Sequence, residues 1–220
     1  MLDDDVPDGE RPSGPRSHKG AQTRARLLEA AKQVFEECGF LEARISDIAE
    51  RAGLSYGSFY HYFNSKEETF REIARAQEVG LEAAIAEGAP PIGASTTAFL
   101  DEWLTSATRR YLADYRDEAR IMRVIEQVSR FDEQLSAIRF ERHERFSNTL
   151  AVVIRALQEV GGADPELDPE IVATALVALV TRLAEEWFVE GQLDRPFDEG
   201  VDELRVLLVG TLRGRGASPT

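Results

Sequence analysis

From Thr23 onward the apolar residues recur every three or four positions, and no stretch alternates apolar with polar residues for long enough to form a strand. That property confines the chain to an all-α fold. In the first stretch Leu27, Ala31, Val34 and Cys38 share a face with Leu28 and Phe35 alongside, and Gly39 is placed to end the helix as a left-handed cap. Cys38 is the one cysteine, expected on this face as a small buried side chain without redox chemistry. A second helix fits residues 46–51, with Ile48, Ala49 and Ala52 inward and Gly53 at its end. Ser55 suits the N-cap of a third helix over 56–63, and Ser65 that of a fourth starting at Lys66. Further helices are expected over about 66–87, 95–114, 117–129, 132–160, 168–190 and 198–213, about nine in all. Breaks rich in Gly and Pro separate them at 88–93, 161–165 and 191–196. Asp168, Pro169 and Glu170 supply a cap, a first-position proline and a first-turn acid in succession.

Residues 1–20 mix Pro, Gly, Ser and charge without an apolar period, so a disordered tail is expected there, and a short tail again at 214–220. Between them the reading divides 21–66, three helices, from a larger helical domain over 67–213. The start is acidic and lacks the basic and apolar parts of a secretory signal. The most apolar run, residues 171–180, is too short to span a bilayer. A cytoplasmic protein without membrane attachment is the expectation.

The net charge of −14 argues at first sight against a phosphate-bearing partner. Its distribution is uneven. Residues 16–66 carry eight Lys and Arg against six Asp and Glu, net +2, whereas residues 67–220 are net −12. Two short helices joined by a glycine-containing turn, over 45–63, have the proportions of a helix-turn-helix. Ile48, Ala49, Leu54 and Phe59 would hold them together. Tyr56, Gly57, Ser58, Tyr60, His61 and Tyr62 would leave an exposed aromatic and polar face able to meet phosphates or base edges.

Ile48-Ala49 followed by Ala52-Gly-Leu-Ser-Tyr-Gly-Ser-Phe-Tyr-His-Tyr-Phe-Asn-Ser-Lys-Glu67 closely resembles the signature of the TetR family of transcriptional repressors, over residues 23–70. The resemblance implies a homodimer that binds operator DNA through an N-terminal domain and a small-molecule effector through a C-terminal domain. It places Tyr56, Gly57, Ser58 and His61 at the bases, and Tyr60, Tyr62 and Lys66 at phosphates, with Ser46 and Ser55 as further phosphate candidates. Packing for Tyr60, and plain solvation for Tyr62 and Lys66, are the competing readings. The chain departs from the family at Arg44, where a Ser or Thr cap is usual; a guanidinium there could grip a phosphate instead. Arg16, His18, Lys19 and Arg24 either follow the DNA backbone or belong to a solvated tail.

Late in the chain Ile171, Ala175, Leu176, Leu179, Leu183 and Val189, then Val201, Leu204, Leu207, Leu208 and Leu212, give two helices broad apolar faces. Such faces suit a dimer, for which Leu176, Leu179, Leu183, Leu204 and Leu208 are the candidates, or the chain's own core. Phe99, Trp103, Tyr111, Tyr115, Met122, Phe146 and Trp187 are candidates to line an apolar effector pocket, with core packing as the alternative. Arg123, Arg139, Arg142 and Arg145 either hold an anionic head group or pair with Glu126, Glu141 and Glu144. No nucleophile motif, phosphate loop or helical metal spacing is present, so no enzyme activity, metal or cofactor is expected. The same fold serving as an activator or an interaction adaptor is the alternative function.

Overall fold

The computed structural model describes residues 18–86 and 97–214, and all regular structure among them is helical. Most of the expected N-terminal tail, the break at 88–93 and the chain from 215 onward lie outside the described residues. The chain forms two compact units, residues 1–70 and 71–220.

In the first unit α1 (His18–Glu42) begins inside the expected tail and breaks at Gly39, whose φ of 78° and ψ of 173° are not helical. Short α2 (Ile45–Arg51) and α3 (Tyr56–Phe59) follow, then the start of α4 (Lys66–Ala86). Leu27, Ala31, Val34 and Phe35 of α1 are buried, as are Ile48, Ala49, Phe59, Phe63 and Phe70. The Phe70 ring meets Phe35 edge-on and Phe40 at a tilt, each at 5.0 Å. Cys38 corrects the sequence reading, because it is exposed. It falls one turn beyond Phe35, the last buried residue of α1, and its Sγ lies 3.1 Å from the Val34 carbonyl.

The second unit holds most of α4, then α5 (Thr97–Asp117), α6 (Ala119–Ser129), α7 (Glu133–Glu159), α8 (Pro169–Ala184) and α9 (Phe197–Arg213). Long α7 packs along α8, while α5 lies against α6, α8 and α9. Asp168 caps α8 as its sequence suggests, accepting from the Glu170 and Ile171 amides at 3.0 Å each. Asp132 caps α7 through the Leu135 amide at 3.0 Å and also pairs with Arg71 of α4 at 2.8 Å. Burial alone would raise its carboxyl pKa; the Arg71 and Leu135 bonds outweigh that and hold it below the usual range.

The helix expected over 168–190 does not run straight. After Ala184 it widens into a π turn over Glu185–Val189, in which the Glu190 amide reaches back five residues to the Glu185 carbonyl at 2.9 Å. Glu185 and Trp187, two positions apart in this turn, are both buried, so the turn is enclosed on more than one side. The Trp187 ring is stacked against Phe188 at 4.7 Å and Phe197 at 6.0 Å, and Gly200 of α9 lies against it.

A Cβ at Gly200 would run into the Trp187 six-membered ring, which its aromatic neighbours hold in place. Helix propensity favours alanine over glycine by about 1 kcal/mol. Overpacking costs about 1–3 kcal/mol, and here the obstacle is a wedged ring. Gly200→Ala should therefore lower the Tm of thermal unfolding; a rise would show that the ring yields freely.

Candidate functional site

The α2–α3 unit is assembled by local hydrogen bonding. Gly53, at φ 65°, lets the chain leave α2: its amide reaches the Glu50 carbonyl and that of Leu54 reaches Ala49, each at 2.9 Å. This double closure is a Schellman ending, which needs a left-handed residue where the glycine stands. Ser55 then caps α3, accepting from the Ser58 amide at 3.3 Å, with the two hydroxyls 2.7 Å apart. Phe59 and Phe63 are buried beneath. The helix expected over 56–63 is regular only to Phe59; the Tyr62 amide bonds three residues back to Phe59 at 2.9 Å, so the segment tightens as it continues.

The outward face carries the residues singled out above. Tyr56 and Tyr60 are 56% and 45% exposed, Gly57 and His61 are exposed, and Ser58 and Tyr62 are half-buried. The Tyr56 and Tyr60 hydroxyls are 2.9 Å apart, and this bond, with a smaller contribution from desolvation, pushes the Tyr60 pKa up. Tyr60 therefore reaches a partner as a neutral hydroxyl. A Cβ at Gly57 would meet nothing within 4 Å, so nothing among the described residues requires that glycine. Arg44 stands at the N-cap of α2 without a side-chain bond to the helix, and it is exposed. Ser46 is also exposed and donates to Asp47 at 3.0 Å.

Lys66, expected at a phosphate, is engaged within its own unit. Its ammonium donates to the carbonyls of Phe40 at 2.7 Å, Ala43 at 2.9 Å and Leu41 at 3.3 Å, and lies 4.6 Å from the centre of the Phe40 ring. Three donors meet three carbonyls of the stretch from Phe40 to Ala43, so Lys66 ties that stretch to the start of α4. Ser65 caps α4 through the Glu68 amide at 3.1 Å, and the Glu68 carboxylate accepts from the Asn64 amide at 2.7 Å.

In the second unit a cavity of about 60 Å³ lies among α5, α7, α8 and α9. Of the expected pocket residues, Trp103, Tyr111 and Phe146 line it. Tyr115 and Met122 do not; both are fully buried core side chains, and Trp187 is taken up in the aromatic stack described above. The Phe99 side chain lies outside the described residues. Sequence reasoning missed Thr108, Thr149 and Thr181 on the cavity wall, since isolated threonines give no pattern. Leu176 and Leu208, expected at a dimer face, line the cavity instead, and Leu204 is buried in the chain's own core. The broad apolar faces of α8 and α9 serve the monomer first. Leu179 and Leu183 border a surface groove between α8 and α9. Residues left outward include Ile171 at 70%, Val206 at 63% and Leu207 at 47% exposure, with Ala175 and Ala178.

Two features set the electrostatics around the cavity. The arginines expected as an anion site are engaged: Arg139 pairs with Glu126 at 2.5 Å and Glu185 at 2.7 Å, Arg142 with Glu78 at 2.7 Å, and Arg123 donates to the Val189 carbonyl. Burial pushes the Glu78 carboxyl up, against the pull of Arg142 and Arg139. By contrast, Trp103 Nε1 and the hydroxyls of Tyr111 and Tyr115 are buried with no hydrogen-bond partner among the described residues. Burial raises the Tyr111 and Tyr115 pKa values, so both are neutral; Thr181 is near enough to Tyr111 to ease this without reaching hydrogen-bond geometry.

A short capped helix with an open face, set on a Schellman turn and backed by a three-helix core, defines a helix-turn-helix DNA-binding regulator. Residues 27–73 match the family model described as bacterial regulatory proteins, tetR family. The chain is 30% identical over 204 residues to an uncharacterised HTH-type transcriptional regulator of Bacillus subtilis, YdgC, covering 88% of this chain and 95% of that protein. It is 28% identical over 177 residues to the HTH-type transcriptional repressor BepR of Brucella suis, covering 77% and 82% of the two chains. Its fold is similar to that of the fatty acid degradation regulator FadR of Bacillus halodurans, with a TM-score of 0.69 and 21% identity over 92% of this chain and all of that one. This chain belongs to the tetR family of transcriptional regulators, proteins that bind DNA, and it is not an enzyme.

Two stability measurements follow from these contacts. Lys66→Met leaves three carbonyls without their donor and should destabilise the free protein by about 2 kcal/mol, read by denaturant unfolding; a side chain acting on phosphate alone would leave that curve unmoved. Tyr111→Phe removes only an unpartnered hydroxyl, so stability should hold or rise by up to about 1 kcal/mol. A marked loss there would mean that the hydroxyl is bonded in solution.

Proposed function

We propose that this regulator is a repressor that binds a near-palindromic operator as a homodimer and leaves it when a small, largely apolar effector enters the cavity of the second unit. The observation that carries the DNA-reading part is the bare backbone at Gly57 within an exposed face of tyrosines, Ser58 and His61. A missing side chain that no internal contact demands suits close approach by an outside surface. Tyr56, Gly57, Ser58 and His61 would meet base edges, while Arg44, Ser46, Ser55, Tyr60 and Tyr62 would meet phosphates.

Pairing of two copies supplies the second half-site. The outward residues of α8 and α9, with Ile171, Ala178, Val206 and Leu207 foremost, form the apolar surface proposed for it. Two-fold symmetry then asks for recognition segments roughly 34–36 Å apart on the duplex. Release follows from linkage: an effector that favours a dimer geometry unsuited to the operator depopulates the bound state, and DNA weakens effector binding by the same factor. Helix α4 belongs to both units and is the connection through which they would be coupled. Repression is supported by BepR, whose name makes it a repressor. No helix among the described residues is long and apolar enough to cross a membrane, and the proposed place of action is the cytoplasm, with the DNA.

A gel shift with the DNA upstream of the protein's own gene tests the reading. Binding should fall steeply with salt. Gly57→Val should abolish it with little change in Tm, since the protein has room for the side chain and the groove would not. Val206→Asp with Leu207→Asp should yield monomers in ultracentrifugation that fail to bind. Undiminished binding by Gly57→Val would refute the assigned face.

A further inference from the structure

If the cavity is the effector site, as the preceding reading holds, its walls restrict what the effector is. Among the described residues no Asp, Glu, Lys, Arg or His lines it. The nearest candidates for holding an anion are already neutralised: Arg142, in contact with the Phe146 ring at 5.8 Å, is paired with Glu78, and Arg139 with two carboxylates. An ionised ligand would have to shed its water with no opposite charge to receive it, a penalty far beyond any apolar gain in a site of this size. Yet the wall is not without polar demand. Trp103 is 4% exposed and Tyr111 is 2% exposed, and the Trp103 Nε1 and Tyr111 hydroxyl have no hydrogen-bond partner among the described residues. An indole N–H only donates, and a neutral phenol donates readily, so each asks for an acceptor.

We infer that the effector is an uncharged, mainly apolar molecule carrying a hydrogen-bond acceptor such as a carbonyl or ether oxygen, which the Trp103 indole and Tyr111 hydroxyl receive. The cavity of about 60 Å³ holds little more than water as it stands, so binding must push its walls apart. Phe146, Leu150 and Val180 are the side chains placed to move, and Thr149, exposed on the same wall, marks the open side.

Three probes of nearly equal shape separate the possibilities: benzylacetone, a methyl ketone; hydrocinnamate, its carboxylate counterpart; and isopentylbenzene, its hydrocarbon counterpart. Binding is read by calorimetry and by quenching of Trp103 fluorescence in Trp187→Phe. Should that variant not fold, the wild-type signal minus that of Trp103→Phe serves. Benzylacetone should bind about three- to tenfold tighter than isopentylbenzene, the ratio expected of one hydrogen bond. Hydrocinnamate should bind at least about thirtyfold more weakly than the ketone. Trp103→Phe and Tyr111→Phe should each erase the ketone's advantage while leaving the hydrocarbon's affinity alone; a merely structural role would weaken both alike.

Carboxylate binding equal to or tighter than the ketone's overturns the inference but leaves the effector-site reading standing. So does absence of saturable binding by all three at millimolar concentration, provided that another compound releases the operator. If the probes rank as expected but saturating benzylacetone leaves the operator complex intact, the cavity's preference is upheld and its role as the effector site fails.

Discussion

Two guanidinium groups on α7, three residues apart, cannot enter this protein's interior alone. Removing one partner of such a buried pair costs about 3–5 kcal/mol, so Arg139 and Arg142 oblige the elements around them to supply carboxylates. Glu126 comes from α6, Glu185 from the π turn and Glu78 from α4. The second unit is thus organised about α7, with three neighbours fixed by charge as well as by apolar contact. For Arg139, burial alone would lower the pKa, and the Glu126 and Glu185 carboxylates more than reverse it, so the pairing and not the solvent keeps it charged.

The π turn makes sense in this light. It places Glu185 and Trp187, both buried, within five residues. The turn carries both the carboxylate that meets Arg139 and the indole that stacks with the Phe188 and Phe197 rings. A single irregularity thereby serves an ion pair on one side and an aromatic stack seated on Gly200 on the other.

What could be read from the sequence was what is decided within a few residues. The endings at Gly39 and Gly53, the caps at Ser55, Ser65 and Asp168, and the inward Phe59 and Phe63 all depend on neighbours in the chain, and the all-helical fold follows from one period. Long-range choices were hidden. Lys66 bonds carbonyls 23 to 26 residues away, and Arg142 finds Glu78, so neither partner shows as helical spacing. Leu176, Leu204 and Leu208 are indistinguishable in sequence from Ile171, Val206 and Leu207; only packing shows that the first three are enclosed and the others exposed. Tyr115 and Met122 were assigned to the pocket with Trp103 and Tyr111 because aromatic and flexible side chains suit a core and a cavity equally.

The charge distribution constrains how such a regulator can hold DNA. The segment 16–66 has a net charge of only +2 and the remainder is acidic, so counterion release at one half-site is a weak source of affinity. Several of the segment's cations are also engaged: Lys66 with three carbonyls and Arg51 with Glu37 at 2.5 Å. In the mode of binding proposed above, a single copy would therefore rely on the shape and hydroxyls of the Tyr56–Phe59 helix, which is one turn long. In the proposed dimer, affinity built from two weak half-sites depends on both engaging at once, and it collapses when geometry forbids the second. On that proposal, a modest change in the spacing of two copies would suffice for release, because a half-site with so little net positive charge would hold weakly alone.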